Sequence, residues 1–231
     1  MIKLSIIVLV FNKLNFTLSC LKDLFLLNED EVEIIIVDNN SSDNTELELR
    51  RINRKNFKYI RNEENLFFAK GCAIGYNAAT SNNILFLNND IKVKSNHQNW
   101  TDILISAIEN NPNSLIGPTG GLVDEKNGFQ FVYETNDSNK KINYMSGWCL
   151  AAKKDIFNKL IIKDYTGPFS EEFGFYFEDT DLSFRATQQN IQFKIIDLPL
   201  THFGKISSRQ LNTYALYSKA REIFIKKWSN K

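Results

Sequence analysis

Four short apolar runs, LSIIVLVF (4–11), VEIIIVD (32–38), FKYI (57–60) and NILFL (83–87), are separated by longer stretches of helical character. Runs this short and this rich in β-branched and aromatic residues read as strands. Strands alternating with helices imply a mostly parallel central sheet, because a parallel neighbour is reached only through a crossover over one face. The expected fold class is therefore α/β. In such sheets ligands collect at the carboxyl ends of the strands, and there the polar clusters fall: Asn12 after the first run, DNNSSDNT after the second and NNDI after the fourth.

From about residue 112 this rhythm is lost, through NPNSLIGPTGG, a polar stretch ETNDSNKKIN, and then YMSGWCLAAKKDIF. No Pro/Gly/Ser-rich linker separates the halves. A chain of 231 residues is thus expected to form one domain, 1–231, with halves 1–111 and 112–205 and a C-terminal helix in 206–231. The polar stretch 134–143 reads as a solvated loop or as a lid that responds to substrate. A net charge of +1 argues against a nucleic-acid partner. Three widely spaced cysteines, Cys20, Cys72 and Cys149, suggest neither a disulfide framework nor a CxxC metal site and fit a reducing, cytoplasmic location. The first run, at eight residues, is far shorter than the ~20 of a membrane span.

Several motifs carry chemistry. In IIIVDNNSSDNT a strand ends on Asp38; the cluster can turn and cap by bonding local backbone, or Asp38 can accept hydrogen bonds from a sugar or a base. In NLFFAKGCAIGYNAAT, Gly71 and Gly75 lie four apart on one helical face, a costly choice in a helix that points to close approach of the sheet or of a ligand. The triplet Asn88, Asn89, Asp90 is either a turn or a source of oxygen ligands for a diphosphate-bound cation. FGFYFEDTDLSFR sets Glu178, Asp179 and Asp181 behind an aromatic run. Asp181 can pair with Arg185 four residues on, a contact worth only ~0.3–0.5 kcal/mol if exposed, and Glu178 suits a helix start. Asp179 has no such structural use, and beside FGFYF it can hold a raised pKa suited to proton removal. His97 reads as solvated; His202, in DLPLTHFG, reads as a core or turn histidine or as a partner of Asp90 at a metal.

Taken in order, VFN, VDNNSSDNT, NLFFAKGCAIGYNAA, LNNDI, SGWCLAAKKDIF, FYFEDTDLSFR and THFG resemble the family 2 glycosyltransferases, inverting enzymes of GT-A fold, and within them the rhamnosyl- and galactofuranosyltransferase-like branch. The resemblance spans about residues 3–204. It implies a nucleotide-sugar donor, UDP- or dTDP-linked, bound by Asn12, Asp38, Asn40, Asn65, Gly71, Asn88, Asn89 and Asp90. It also implies Mn²⁺ or Mg²⁺ at Asp90 and His202, Asp179 as catalytic base beside Glu178, and a glycan, polysaccharide or lipid-linked acceptor met by Trp148 and Asp181. Asn88 stands where many relatives carry the first Asp of the metal motif. A silent nucleotide-sugar-binding module would share the fold. A nucleotidyltransferase would be expected to carry a Gly-rich basic loop where this chain has VFNKLNFT. In QLNTYALYSKAREIFIKKWSNK, Tyr214, Tyr217, Phe224, Ile225 and Trp228 share one helical face, with Lys219, Lys226 and Lys227 mainly on the other. That helix is expected either to dock on the core or to meet the inner face of a membrane peripherally, with Arg221 turned toward the donor diphosphate.

Overall fold

The computed structural model describes residues 1–94, 99–204 and 213–229. His97 and the side chain of Tyr214 lie outside these residues. The four apolar runs form β1 (Leu4–Val10), β2 (Val32–Asp38), β3 (Phe57–Arg61) and β4 (Asn83–Asn88). They pair in parallel, with Val10 opposite Asp38, Asp38 opposite Arg61 and Leu9 opposite Asn88. This register brings the polar strand ends to one level. The remaining strands of this sheet are β6 (Ser114–Gly117), β10 (Cys149–Lys153) and β11 (Gln192–Ile195), in the order β11-β6-β10-β4-β1-β2-β3. β10 runs antiparallel to both neighbours, so the sheet is mixed.

Both faces of the sheet are covered, which explains why its central strands read as near-continuous apolar runs rather than alternating ones. On one face Ile6, Val8, Ile34 and Ile36 meet α1 (Leu14–Leu24) and α4 (Trp100–Asn110) through Cys20, Leu21, Trp100, Leu104 and Ile108. On the other, Ile7, Ile35 and Val37 meet α3 (Phe67–Ala78) through Ala69, Cys72 and Tyr76. Gly71 and Gly75 serve this packing: a Cβ on Gly71 would lie 2.4 Å from Leu9 Cδ1, and one on Gly75 2.4 Å from Ile7 Cγ2. Between β2 and β3 lies the short α2 (Thr45–Leu49), and α5 (Lys154–Lys159) follows β10 directly.

Two smaller sheets flank the strand ends. β5 (Ile91–Val93) pairs with β12 (Leu200–His202), placing His202 opposite Ile91. β7 (Gly120–Asp124) pairs with β8 (Gln130–Thr135) and β9 (Tyr144–Met145), a three-stranded antiparallel unit that the sequence does not signal. The polar stretch 134–143 begins at the end of β8, and residues 136–141 are exposed, as a solvated loop would be.

α7 (Thr213–Trp228) docks on the molecule, packing Ala220, Phe224 and Trp228 against Phe129, Phe173, Phe177 and Phe184, the last on α6 (Glu178–Gln188). Of the aromatic face expected at a membrane, Phe224 and Trp228 are therefore buried inside the protein, and Tyr217 and Ile225 pack partly buried against the same cluster. Lys227 pairs with Glu172 and Asp181, and Arg221 donates to the Gly128 carbonyl, so neither takes the place expected of it. Among the described residues no helix is long and apolar enough to cross a membrane.

Candidate active site

A cleft of about 290 Å³ opens at the carboxyl ends of β1 and β4. Of the residues expected there, Asn65, Asn88, Asn89, Asp90, Trp148, Glu178, Asp179 and His202 line it. Asn12, Asp38, Asn40, Gly71 and Asp181 do not. Asp38 is fully buried, and its carboxylate accepts from Tyr59 (2.6 Å), Arg61 (3.0 Å) and the Ser41 N–H (2.8 Å). Asn40 accepts from Arg61 at 2.6 Å, and Asn12 accepts from the Ser42 N–H at 2.8 Å, so both tie strand-end loops together.

The acids enter through an unusual turn. Tyr176 and Phe177 have φ of 75° and 68°, and Phe67, the first residue of α3 across the cleft, has φ of 58°. Bulky residues rarely adopt this left-handed backbone, and where they do the strain clusters at functional sites. Phe177 is the cap residue of α6, so the turn delivers Glu178 and Asp179 on the first helical positions, with the aromatic wall of Phe175 and Tyr176 beside them.

The two carboxyls differ in what surrounds them. Asp179 Oδ2 accepts from the Gly147 N–H (2.8 Å), and Oδ1 from the Thr180 N–H (2.6 Å) and hydroxyl (3.2 Å). Burial raises its pKa, these donors pull it back, and Glu134 raises it again. Glu178 Oε2 is buried without a hydrogen-bond partner among the described residues. Burial first, and the adjacent Asp179 charge second, push its pKa up to about 8. Burial raises the pKa of both carboxyls, and of the two Asp179 has the more hydrogen-bond donors favouring its ionised form.

Asp181 turns the other way. It is fully buried and bonds Ser170 (2.5 Å), Arg185 Nε (2.8 Å) and Trp228 Nε1 (2.9 Å), with Lys227 at 2.8 Å. The spacing correctly pairs Asp181 with Arg185, but the pair is a buried hub that holds α7 and not an exposed contact or an acceptor edge.

At the end of β4, Asp90 is 5% exposed and no hydrogen bond reaches its Oδ1. That oxygen lies 3.1 Å from His202 Nε2, which in turn lies 3.2 Å from the Asn88 amide nitrogen. A buried carboxylate oxygen without a donor, beside an imidazole nitrogen, is a pair that a divalent cation would satisfy. Among the described residues no group of three His, Cys, Asp or Glu assembles, so a cation here would draw the rest of its shell from phosphate oxygens and water, as Mg²⁺ commonly does.

Cleft residues that sequence reasoning missed include Asn39, which donates to the Phe67 carbonyl (2.9 Å), and Gly147, whose N–H holds Asp179. Gly147 sits in the SGW motif and Asn39 in DNN, yet neither type announces a role before its partner is known. Glu134 reaches the cleft only because β8 folds back on β7.

Comparison with known proteins agrees with this fold. The family model described as Glycosyl transferase family 2 matches residues 5–162. Among solved structures, S. aureus TarS 1–349 in complex with UDP-GlcNAc aligns with a TM-score of 0.63 at 17% identity, over 94% of this chain and 64% of that one. The Pyrobaculum calidifontis mannosyltransferase PcManGT, in complex with GDP-Man and Mn²⁺, aligns with a TM-score of 0.62 at 12% identity, over 84% of this chain and 54% of its own. GalNAc-T7 with UDP, GalNAc and Mn²⁺ gives 0.64 at 14%, over 86% and 42%. At these identities the likeness establishes the GT-A-like fold, and this chain spans only 42% to 64% of the length of those three. No curated protein matches the chain.

Proposed function

The chain belongs to glycosyl transferase family 2, and from that membership we propose that it moves a sugar, with inversion, from a nucleoside-diphosphate sugar to a hydroxyl of a glycan, polysaccharide or lipid-linked acceptor. The observation that carries this reading is the pair of neighbouring carboxyls, Asp179 held by the Gly147 and Thr180 N–H groups and Glu178 with a buried, unpartnered Oε2, in a cleft that also contains Asp90 and His202. An acceptor hydroxyl placed at Asp179 loses its proton to that carboxylate as its oxygen attacks the anomeric carbon. The bond from that carbon to the diphosphate oxygen breaks on the opposite face. The raised pKa of Glu178 disfavours a second negative charge beside the base, and the Gly147 and Thr180 N–H groups fix the orientation of the Asp179 carboxylate. A divalent cation, when bound at Asp90 and His202, neutralises charge on the departing diphosphate; PcManGT and GalNAc-T7 were both solved with Mn²⁺. Asn65, Asn88 and Asn89 line the donor side; the motifs favour a UDP- or dTDP-sugar and a rhamnosyl- or galactofuranosyl-type transfer.

A panel of UDP- and dTDP-sugars, with released nucleoside diphosphate measured in Mn²⁺, Mg²⁺ or EDTA, tests the reading. Asp179→Asn should lower transfer by ~10²–10⁴-fold, the usual worth of a general base, with donor affinity spared. Near-normal turnover by folded Asp179→Asn protein would remove Asp179 from the base role.

A further inference from the structure

We propose that Trp148 is a positioning residue for the metal site: its indole lies flat against the imidazole of His202 and fixes the plane in which Nε2 meets a cation. The inference rests on the reading of Asp90 and His202 as metal ligands. Sequence reasoning places Trp148 against the acceptor sugar; in the structure one face of its ring is stacked on His202. The indole and imidazole centroids are 4.7 Å apart and the planes differ by 7°.

A cation bound to imidazole lies in the ring plane, on the lone pair of the ligating nitrogen. Correct coordination therefore requires that plane to be fixed. Metal-ligating histidines usually achieve this by donating the other ring N–H to a carboxylate or carbonyl. Among the described residues the polar contacts of the His202 ring are all at Nε2, 3.2 Å from the Asn88 amide nitrogen and 3.1 Å from Asp90 Oδ1, so Nδ1 has no such anchor. The stacked indole takes over that task, since a parallel neighbour blocks rotation of the ring out of its plane.

Trp148 is itself locked. Its Nε1 donates to Thr119 Oγ1 at 2.7 Å, and its carbonyl accepts from the Asn88 N–H at 2.8 Å. The Thr119 carbonyl accepts from the Ser146 N–H at 3.1 Å, which closes the loop back onto the segment that carries Trp148. The indole is 9% exposed. The chain from Thr119 through Trp148 to His202 thus links the turn between β6 and β7 to the end of β12, and the same tryptophan clamps the backbone of Asn88 two residues before Asp90.

The test titrates Mn²⁺ into the full chain, alone and with UDP or dTDP, and counts free Mn²⁺ by electron paramagnetic resonance. Nucleotide affinity in EDTA is measured in parallel. Trp148→Leu should weaken Mn²⁺ binding by about 10–100-fold, the usual effect of losing an outer-shell partner, with nucleotide affinity in EDTA unchanged. Thr119→Val, which keeps the indole and deletes only its acceptor, should weaken Mn²⁺ in the same direction by less. Asp90→Asn should remove binding and serves as the reference. If Asp90→Asn loses Mn²⁺ while Trp148→Leu binds it as the unmodified protein does, the positioning role is overturned and the metal reading stands. If the unmodified protein binds no Mn²⁺, or Asp90→Asn binds it equally, the metal reading falls and takes this inference with it. Should Trp148→Leu not fold, Thr119→Val decides, and unchanged Mn²⁺ affinity in that variant overturns the proposal.

Discussion

Replacing Glu178 by glutamine removes a carboxyl that must ionise beside another carboxylate, out of water and with no donor on Oε2. The native state raises this pKa from 4.5 to about 8. Between those pH values the folded protein holds a proton that the unfolded chain has released, so stability falls as pH rises. At about 1.36 kcal/mol per pH unit the loss reaches a ceiling of about 5 kcal/mol, none of it present below pH 4.5 and all of it expressed above pH 8. Glutamine keeps the shape and never charges. The variant should match the parent protein at pH 4.5 and exceed it by several kcal/mol at pH 9, with the gap opening through the intervening range. Urea unfolding at half-unit pH steps, read by tryptophan fluorescence, measures this directly. The same substitution relieves the Asp179 carboxylate of a neighbour, so part of the gain belongs to the pair and not to either residue alone. A difference between the two proteins that stays constant within about 0.5 kcal/mol from pH 5 to pH 9 would refute the reasoning, because a group that is solvated or already ionised contributes no pH-dependent term.

Phe224→Ala should cost about 3–5 kcal/mol, since the ring is fully buried among Phe129, Phe173, Phe177, Phe184 and Trp228; chemical denaturation measures it, and a cost below about 1 kcal/mol would show α7 to be loosely held. With its aromatic face thus occupied, the full chain should not sediment with anionic liposomes at low salt, and sedimentation that disappears on deleting residues 211–231 from a still-folded protein would count against the docked helix. Gly75→Ala should destabilise by about 1–3 kcal/mol despite the better helix propensity of alanine, because its Cβ would lie 2.4 Å from Ile7 Cγ2 and 3.1 Å from Val37 Cγ2; a stabilised variant would show that the sheet yields there. Arg61→Met should cost about 3–5 kcal/mol by leaving the buried Asp38 carboxylate without its cation, and the paired change Arg61→Met with Asp38→Asn should recover much of it in the same denaturation assay.

Local pattern carried far in this chain. The runs that became β1 to β4 are strands because each is too short for a helix and rich in β-branched or aromatic residues, and their order imposed parallel pairing and a cleft at their carboxyl ends. Gly71 and Gly75 announced a close approach, and the sheet proved to be what approaches. The spacing from Asp181 to Arg185 announced an ion pair, which forms at 2.8 Å. Tertiary structure alone decided which side of each element meets which partner. β10 enters the sheet antiparallel, which sets Gly147 against Asp179 and Trp148 against His202, 32 and 54 positions away in the chain. Asp38, at the end of a strand as its motif requires, is spent on Tyr59 and Arg61 because β3 lies beside it in register. Asp181 faces Lys227 and Trp228 because α7 folds back across α6. The physical reason is one of range. Periodicity and turn chemistry act within a few residues and settle what each segment is. The partner of a buried polar group is set by which distant segments share its desolvated surroundings, and that follows only from how the elements pack.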